Sequence, residues 1–206
     1  MMKIWGRTNS TNVRKVLWCA EELNLKYESI PAGGEFGLVN EASYLAKNPN
    51  GRIPCLEDGE FVLWESNVIV RYLAKKYGQE SFAPADIQTW YAAEKWMDWA
   101  SLSFGMPFRD LFWNLIRHSP EQRSEEEIAL GIKHCTPLMA MANAQLEKTP
   151  YLSGSHLGIG DIPLGAIAYS WFSFPIERPS MPALEDWYEG LKSRPAYQKG
   201  VMSPLT

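Results

Sequence analysis

Cysteine is scarce in this chain. Three stand in 206 residues, Cys19, Cys55 and Cys135, far apart and with no CxxC pair. That excludes a disulfide framework and points to reduced thiols in a cytoplasmic setting, read as small apolar core residues. No apolar run approaches the roughly 18–20 residues of a membrane-crossing helix, and the opening MMKIWGRTNS carries no apolar signal region. Positive charge is not in excess either. Twenty Lys and Arg face 24 Asp and Glu, for a net charge of −4. Nucleic acid and anionic membranes are therefore not the expected partners. Internal repeats and low-complexity tracts are also missing, and no metal site is expected. The composition that remains, 46% hydrophobic and 21% charged, is that of a globular protein able to bury a sizeable core.

The pattern of elements changes near residue 80. Before it, KIWG reads as a strand. A helix follows, marked by Val13, Val16, Leu17, Ala20 and Leu23 at i, i+3, i+4 spacing. KYESIPA reads as a second strand, and IPCLEDGEFVLWES as two more joined by an Asp58-Gly59 turn. Ser66 opens a helix to Tyr77. GQESFAPAD is a break without periodicity, and beyond it the chain reads as helical. A long helix is expected from Asp86 to Arg117, interrupted near Gly105–Pro107. Others are expected at 124–148 and 161–174 and after Pro182 and Pro195. This divides the chain into residues 1–80, a linker at 81–86, and an all-α domain at 87–206.

Four small polar residues, Asn9, Ser10, Thr11 and Asn12, crowd the start of the first helix, where one would suffice as a cap. Arg14 and Lys15 follow inside the first turn, where cations oppose the helix dipole. Either one of them meets an anion, or both are solvated. A second helix start, Glu65-Ser66, has Ser66 as a natural N-cap and free amides suited to a carboxylate. Pro54 opens a strand, where it removes a ladder donor. A cis bond there would free the backbone of Ile53 for a peptide-like ligand, although most X–Pro bonds are trans.

NPNGRIP, the ES pair and the following I..YL resemble the glutathione-binding half of cytosolic glutathione transferases. The aromatic helical half, YLSGSHLGIGDIPLGAIAY and LEDWYEGLKSRPAYQKG resemble the remainder, so the likeness spans the chain. WGRTNSTNVRKVLW is most similar to a bacterial group related to the theta and nu classes, which use a hydroxyl or Asn at the first helix. The resemblance implies an α/β thioredoxin-like N-terminal domain plus an all-α C-terminal domain. Glutathione is then the co-substrate, the chain a cytoplasmic homodimer, and the role detoxification. It implies that Ser10 activates the thiol, supported by Asn12, with Thr11 the competing hydroxyl. It further implies that Ile53 and the cis-proline Pro54 hold the cysteinyl part, and that Glu65 and Ser66 hold the γ-glutamyl end. Asn40 or Lys47 would meet the glycine carboxylate, and Arg14 the thiolate or a carboxylate.

Trp99, Phe104, Met106, Phe108 and Trp113 are candidates for an apolar electrophile wall. Arg109, Trp113 and Arg117 share one helix face by spacing, which would suit an anionic electrophile. One position departs from the family pattern. Gly158 stands where a Ser or Thr usually forms a capping box with Asp161, so Asp161 is expected to reach only the Gly158 amide, with Leu157 and Ile162 as a hydrophobic staple. A glutathione-dependent disulfide or peroxide reductase and a non-catalytic ligand-binding protein remain as alternative readings.

Overall fold

The computed structural model describes all 206 residues and forms two compact units. The first comprises residues 1–85 with 193–204, and the second residues 86–192 with the last two residues. The chain's final helix thus joins the first unit, whereas the sequence placed it with the helical half.

The first unit is built on strands β1 (Met2–Trp5), β2 (Tyr27–Ile30), β3 (Cys55–Asp58) and β4 (Phe61–Trp64). Their order is β2-β1-β3-β4, with β1 and β2 parallel and the other two pairings antiparallel. The β1–β2 pairing is parallel because helix α1 (Thr11–Glu22) supplies the crossover. Asp58 pairs with Phe61, so the hairpin loop is Gly59-Glu60, one residue later than the sequence suggested. Gly59 takes φ +67°, the region a tight hairpin turn requires. On one face of the sheet Trp5, Ile53 and Val62 pack around Cys55, Ala32 and Tyr44, the last from the short helix α2 (Ala42–Leu45). On the other, Ile4 and Leu56 are fully buried.

Helix α3 (Ser66–Tyr77) packs on α1 through Ile69, Val70 and Leu73, all buried. Asp58 ties the hairpin to α3, accepting from Tyr72 Oη at 2.7 Å, Lys76 Nζ at 2.7 Å and Tyr77 Oη at 2.6 Å. Burial opposes ionisation of this carboxyl, but the three donors outweigh it and bring its pKa down to about 2. The folded value lies below the unfolded one, so this stabilisation is complete above about pH 4 and disappears as pH falls toward 2. Asp58→Asn should lower the urea midpoint at neutral pH and flatten that acid limb. An acid limb identical to that of the parent protein would refute the assignment.

α1 is covered on its second side as well. The C-terminal helix, named α8 in chain order (Pro195–Gly200), lies along it. Tyr197 meets Trp18 edge-on at 4.8 Å between ring centroids, and a Cβ at Gly200 would come within 2.6 Å of the Trp18 backbone. Arg194 clamps Glu22 through two hydrogen bonds of 2.7 Å. Consequently every residue from Val13 to Ala20 is buried, including the two cations that the sequence left open to solvent.

The second unit contains α4 (Ile87–Phe112), α5 (Glu125–Leu146), α6 (Asp161–Ser173) and α7 (Pro182–Lys192). The expected break near Gly105–Pro107 is absent. α4 runs through Pro107 and ends instead in a wide π turn, Trp113–Arg117, closed by His118 N–H to Trp113 C=O at 2.8 Å. α6 is apolar all round and buried. At its start Asp161 does more than reach Gly158. It accepts from the amides of Leu152 (2.8 Å), Ser153 (3.2 Å) and Gly158 (3.2 Å), and from Trp187 Nε1 (3.1 Å). A carboxylate has room for all four donors, which replaces what a Ser or Thr at 158 would have added.

Candidate functional site

The N-termini of α1 and α3 meet within the first unit. Ser10 is the N-cap of α1, with extended backbone (φ −85°, ψ 126°), yet its hydroxyl makes no capping hydrogen bond. The polar surplus read in the sequence therefore leaves this oxygen available at a helix N-terminus, where free amides and the dipole favour an anion. The turn before it is tightly held. Ser10 N–H reaches Arg7 C=O at 3.2 Å, Arg7 N–H reaches Ala32 C=O at 3.0 Å, and Arg7 Nη1 bonds Asn9 Oδ1 at 2.6 Å. Thr11 follows as the first residue inside the helix, half-buried.

Asn12 links the two helix starts, its Oδ1 accepting from Ser66 Oγ at 3.4 Å. Ser66 is buried and is the first residue of α3, not its cap. The cap is Glu65, with φ +73° and ψ 111°, a left-handed conformation that few non-glycine residues adopt. Such strain persists only where its surroundings hold it, and it clusters at ligand sites. Beneath the pair lies Lys15, only 4% exposed, with Nζ 3.5 Å from Asn67 Oδ1. Burial pulls its pKa down to about 8, and the nearby Glu65 carboxylate works against that fall. Lys15 is the residue that sequence reasoning underrated. It stands three positions after Asn12, on the same helix face, and that spacing was the available signal.

The Ile53–Pro54 bond is cis, and the β1–β3 ladder begins only at the Trp5–Cys55 pair, so Ile53 stands outside it. Its side chain packs beside Gly6 and Gly33, next to the β1–α1 turn. Asn40 is exposed in the loop beside Gly51. Lys47 is committed elsewhere, to Glu57 at 2.9 Å and over the Trp5 ring.

Arg14 is directed away from Ser66 and Asn12 and toward Ser203 and Pro204. Its guanidinium is fully buried and turned to the chain's end, bonding Ser203 C=O at 2.9 Å, Ser203 Oγ at 2.9 Å and Pro204 C=O at 3.2 Å. The aromatic candidates of the second unit split into two sets. Phe104 and Phe108 are buried, and Phe108 lies 5.9 Å from Phe174, while Trp99 sits edge-on to Phe104 at 5.4 Å. Met106, Arg109 and Trp113 are exposed, with Arg109 paired to Asp110 at 2.9 Å. Arg117 lies over Phe112.

Residues 1–75 match the family description "Glutathione S-transferase, N-terminal domain". The chain is 44% identical to glutathione S-transferase GstB of Escherichia coli K12 across all of both sequences. It is 30% identical to glutathione S-transferase 3 of Zea mays, over 97% of this chain and 93% of that one. Among solved structures, a theta-class glutathione S-transferase of the citrus canker pathogen Xanthomonas axonopodis pv. citri, with glutathione bound, superposes with a TM-score of 0.96. Identity is 49%, over 100% of this chain and 99% of the other.

Proposed function

The chain belongs to the glutathione S-transferase family, and we propose that Ser10 is the residue that activates glutathione for conjugation. The observation that carries this is the Ser10 hydroxyl, unused as a cap, at the start of α1. Glutathione is the co-substrate, and its thiolate attacks the electrophile. A free thiol has a pKa of about 8.5 and is mostly protonated at neutral pH. A hydroxyl donor and a helix N-terminus both favour the thiolate over the thiol. Buried Lys15 adds positive charge behind them. Ser10 keeps its proton throughout and donates it as a hydrogen bond to sulfur.

The other parts of glutathione follow from the neighbouring groups. Ser66 and the Glu65 carboxylate would take the γ-glutamyl carboxylate and amine, with Asn12 holding Ser66 in place. Ile53 would pair with the cysteinyl amide, and Asn40 would reach the glycine carboxylate. The electrophile is small and hydrophobic or halogenated, a reading supported by the aromatic cluster of Trp99, Phe104 and Phe108 along α4. The relatives are named as transferases, which does not favour a reductase or a carrier. A cytoplasmic homodimer with a detoxifying role completes the reading. Its support is three reduced, buried cysteines and exposed apolar side chains in each unit, such as Phe61 and Leu102.

The test is a pH titration of thiolate absorbance for bound glutathione, run beside a panel of aryl halide, alkyl halide, haloacid, hydroperoxide and mixed disulfide. The bound thiol should titrate about one to two units below the free one. A thiol unshifted from solution, or turnover of the mixed disulfide alone, would overturn the assignment. Equilibrium sedimentation of the same sample at the mass of one chain would refute the dimer.

A further inference from the structure

The last residues of the chain are built into the catalytic turn. Ser203 Oγ donates to the carbonyl of Thr8 at 3.0 Å. The same oxygen accepts from Arg14 Nε at 3.2 Å and Nη2 at 2.9 Å. A serine hydroxyl has one proton to give and two lone pairs to fill, so all of its capacity is taken and its orientation is set. Thr8 lies two residues before Ser10. Arg14 is joined to Ser10 from the other side, its amide donating to the Ser10 carbonyl at 2.9 Å. Thr8, Ser10, Arg14 and Ser203 therefore form a closed loop of bonds around the base of the turn.

The tail is held in place to act on that turn. Arg194 to Glu22, Tyr197 on Trp18, and Gly200 against the Trp18 backbone anchor it by three contacts along α1. Ser203 arrives at the helix start as the fourth. A buried guanidinium needs acceptors, and here Ser203 and Pro204 supply them to its Nε and Nη2. The arrangement explains why a cation is tolerated in the first turn of α1, where the dipole disfavours it.

We propose that Ser203, locked by Arg14, is a positioning residue for the transferase reaction, fixing the turn that carries Ser10. The inference rests on the reading of Ser10 given above. Hydrogen bonds to a thiolate are sensitive to displacements well under 1 Å, so a loosened Thr8 should weaken the Ser10–sulfur bond without touching the rest of the glutathione site.

The experiment compares Ser203→Ala, Ser203→Thr and Ser10→Ala by thiolate titration of bound glutathione, steady-state kinetics and thermal melting. Ser203→Ala should raise the bound thiol pKa by about half a unit to one unit and lower kcat about three- to tenfold at neutral pH. KM for glutathione should stay within about twofold, because Glu65, Ser66 and Ile53 are untouched. Ser203→Thr keeps the hydroxyl and should behave as the parent protein. If Ser10→Ala moves the thiol pKa but Ser203→Ala does not, the inference fails while the Ser10 reading stands, whatever the melting temperature does. If Ser10→Ala leaves the pKa unmoved, both fall. A loss in Ser203→Ala confined to KM, or one that Ser203→Thr shares in full, also overturns it.

Discussion

Ser10→Ala should lower kcat/KM for an aryl halide about 10- to 100-fold at neutral pH and leave the fold intact. The hydroxyl makes no capping bond, so its removal costs α1 nothing through that route. What is lost is a hydrogen bond to a charged sulfur, worth about 1.5–3 kcal/mol. That equals roughly one to two pKa units at 1.36 kcal/mol each. The loss should therefore shrink as pH rises toward the thiol pKa of the variant, where the thiolate forms without assistance. Rates measured from pH 6 to 9 decide this. A variant whose deficit is the same at every pH has lost something other than thiol ionisation. Asn12→Ala run in parallel separates the two neighbours. Asn12 contacts Ser66, so its loss should appear in KM for glutathione.

Asp161→Ala should be the most destabilising single change in the second unit. Four donors converge on this carboxylate, and it is fully buried. Burial raises its pKa, and the hydrogen bonds it accepts oppose that rise. Removing the acceptor strands buried amides, each costing about 1–3 kcal/mol if unsatisfied. Partial relaxation brings the total to about 3–5 kcal/mol, a large share of the 5–15 kcal/mol by which domains are stable. At about 2–4 °C per kcal/mol for a chain of this size, the melting temperature should fall by about 10 °C. Asp161→Asn retains one acceptor oxygen and should fall between. A drop of only a degree or two for Asp161→Ala would mean that water replaces the carboxylate.

Most elements were legible because local rules govern them. Periodicity placed α1 and α3, the Asp-Gly signal placed the hairpin within one residue, and prolines marked the starts of α7 and α8. The π turn after Phe112 was not legible, since no single residue type encodes it. At the site, the stretch Asn9–Asn12 and the Glu65-Ser66 pair stood out by residue type. Lys15 did not, because burial of a lysine depends on what covers it.

The division follows the range of the forces involved. Spacing, capping and turn chemistry act over a few residues, and they already specified a mixed α/β half, a helical half and two helix starts suited to anions. Contacts between distant segments required the folded chain. Only there do α3 and the C-terminal segment cover α1, turning two first-turn cations into buried ones with different partners. Arg14 is drawn to the carbonyls of Ser203 and Pro204, and Lys15 to the side of Glu65. Desolvation leaves a charged side chain no choice but its nearest partner, and which partner is nearest is a property of the tertiary fold.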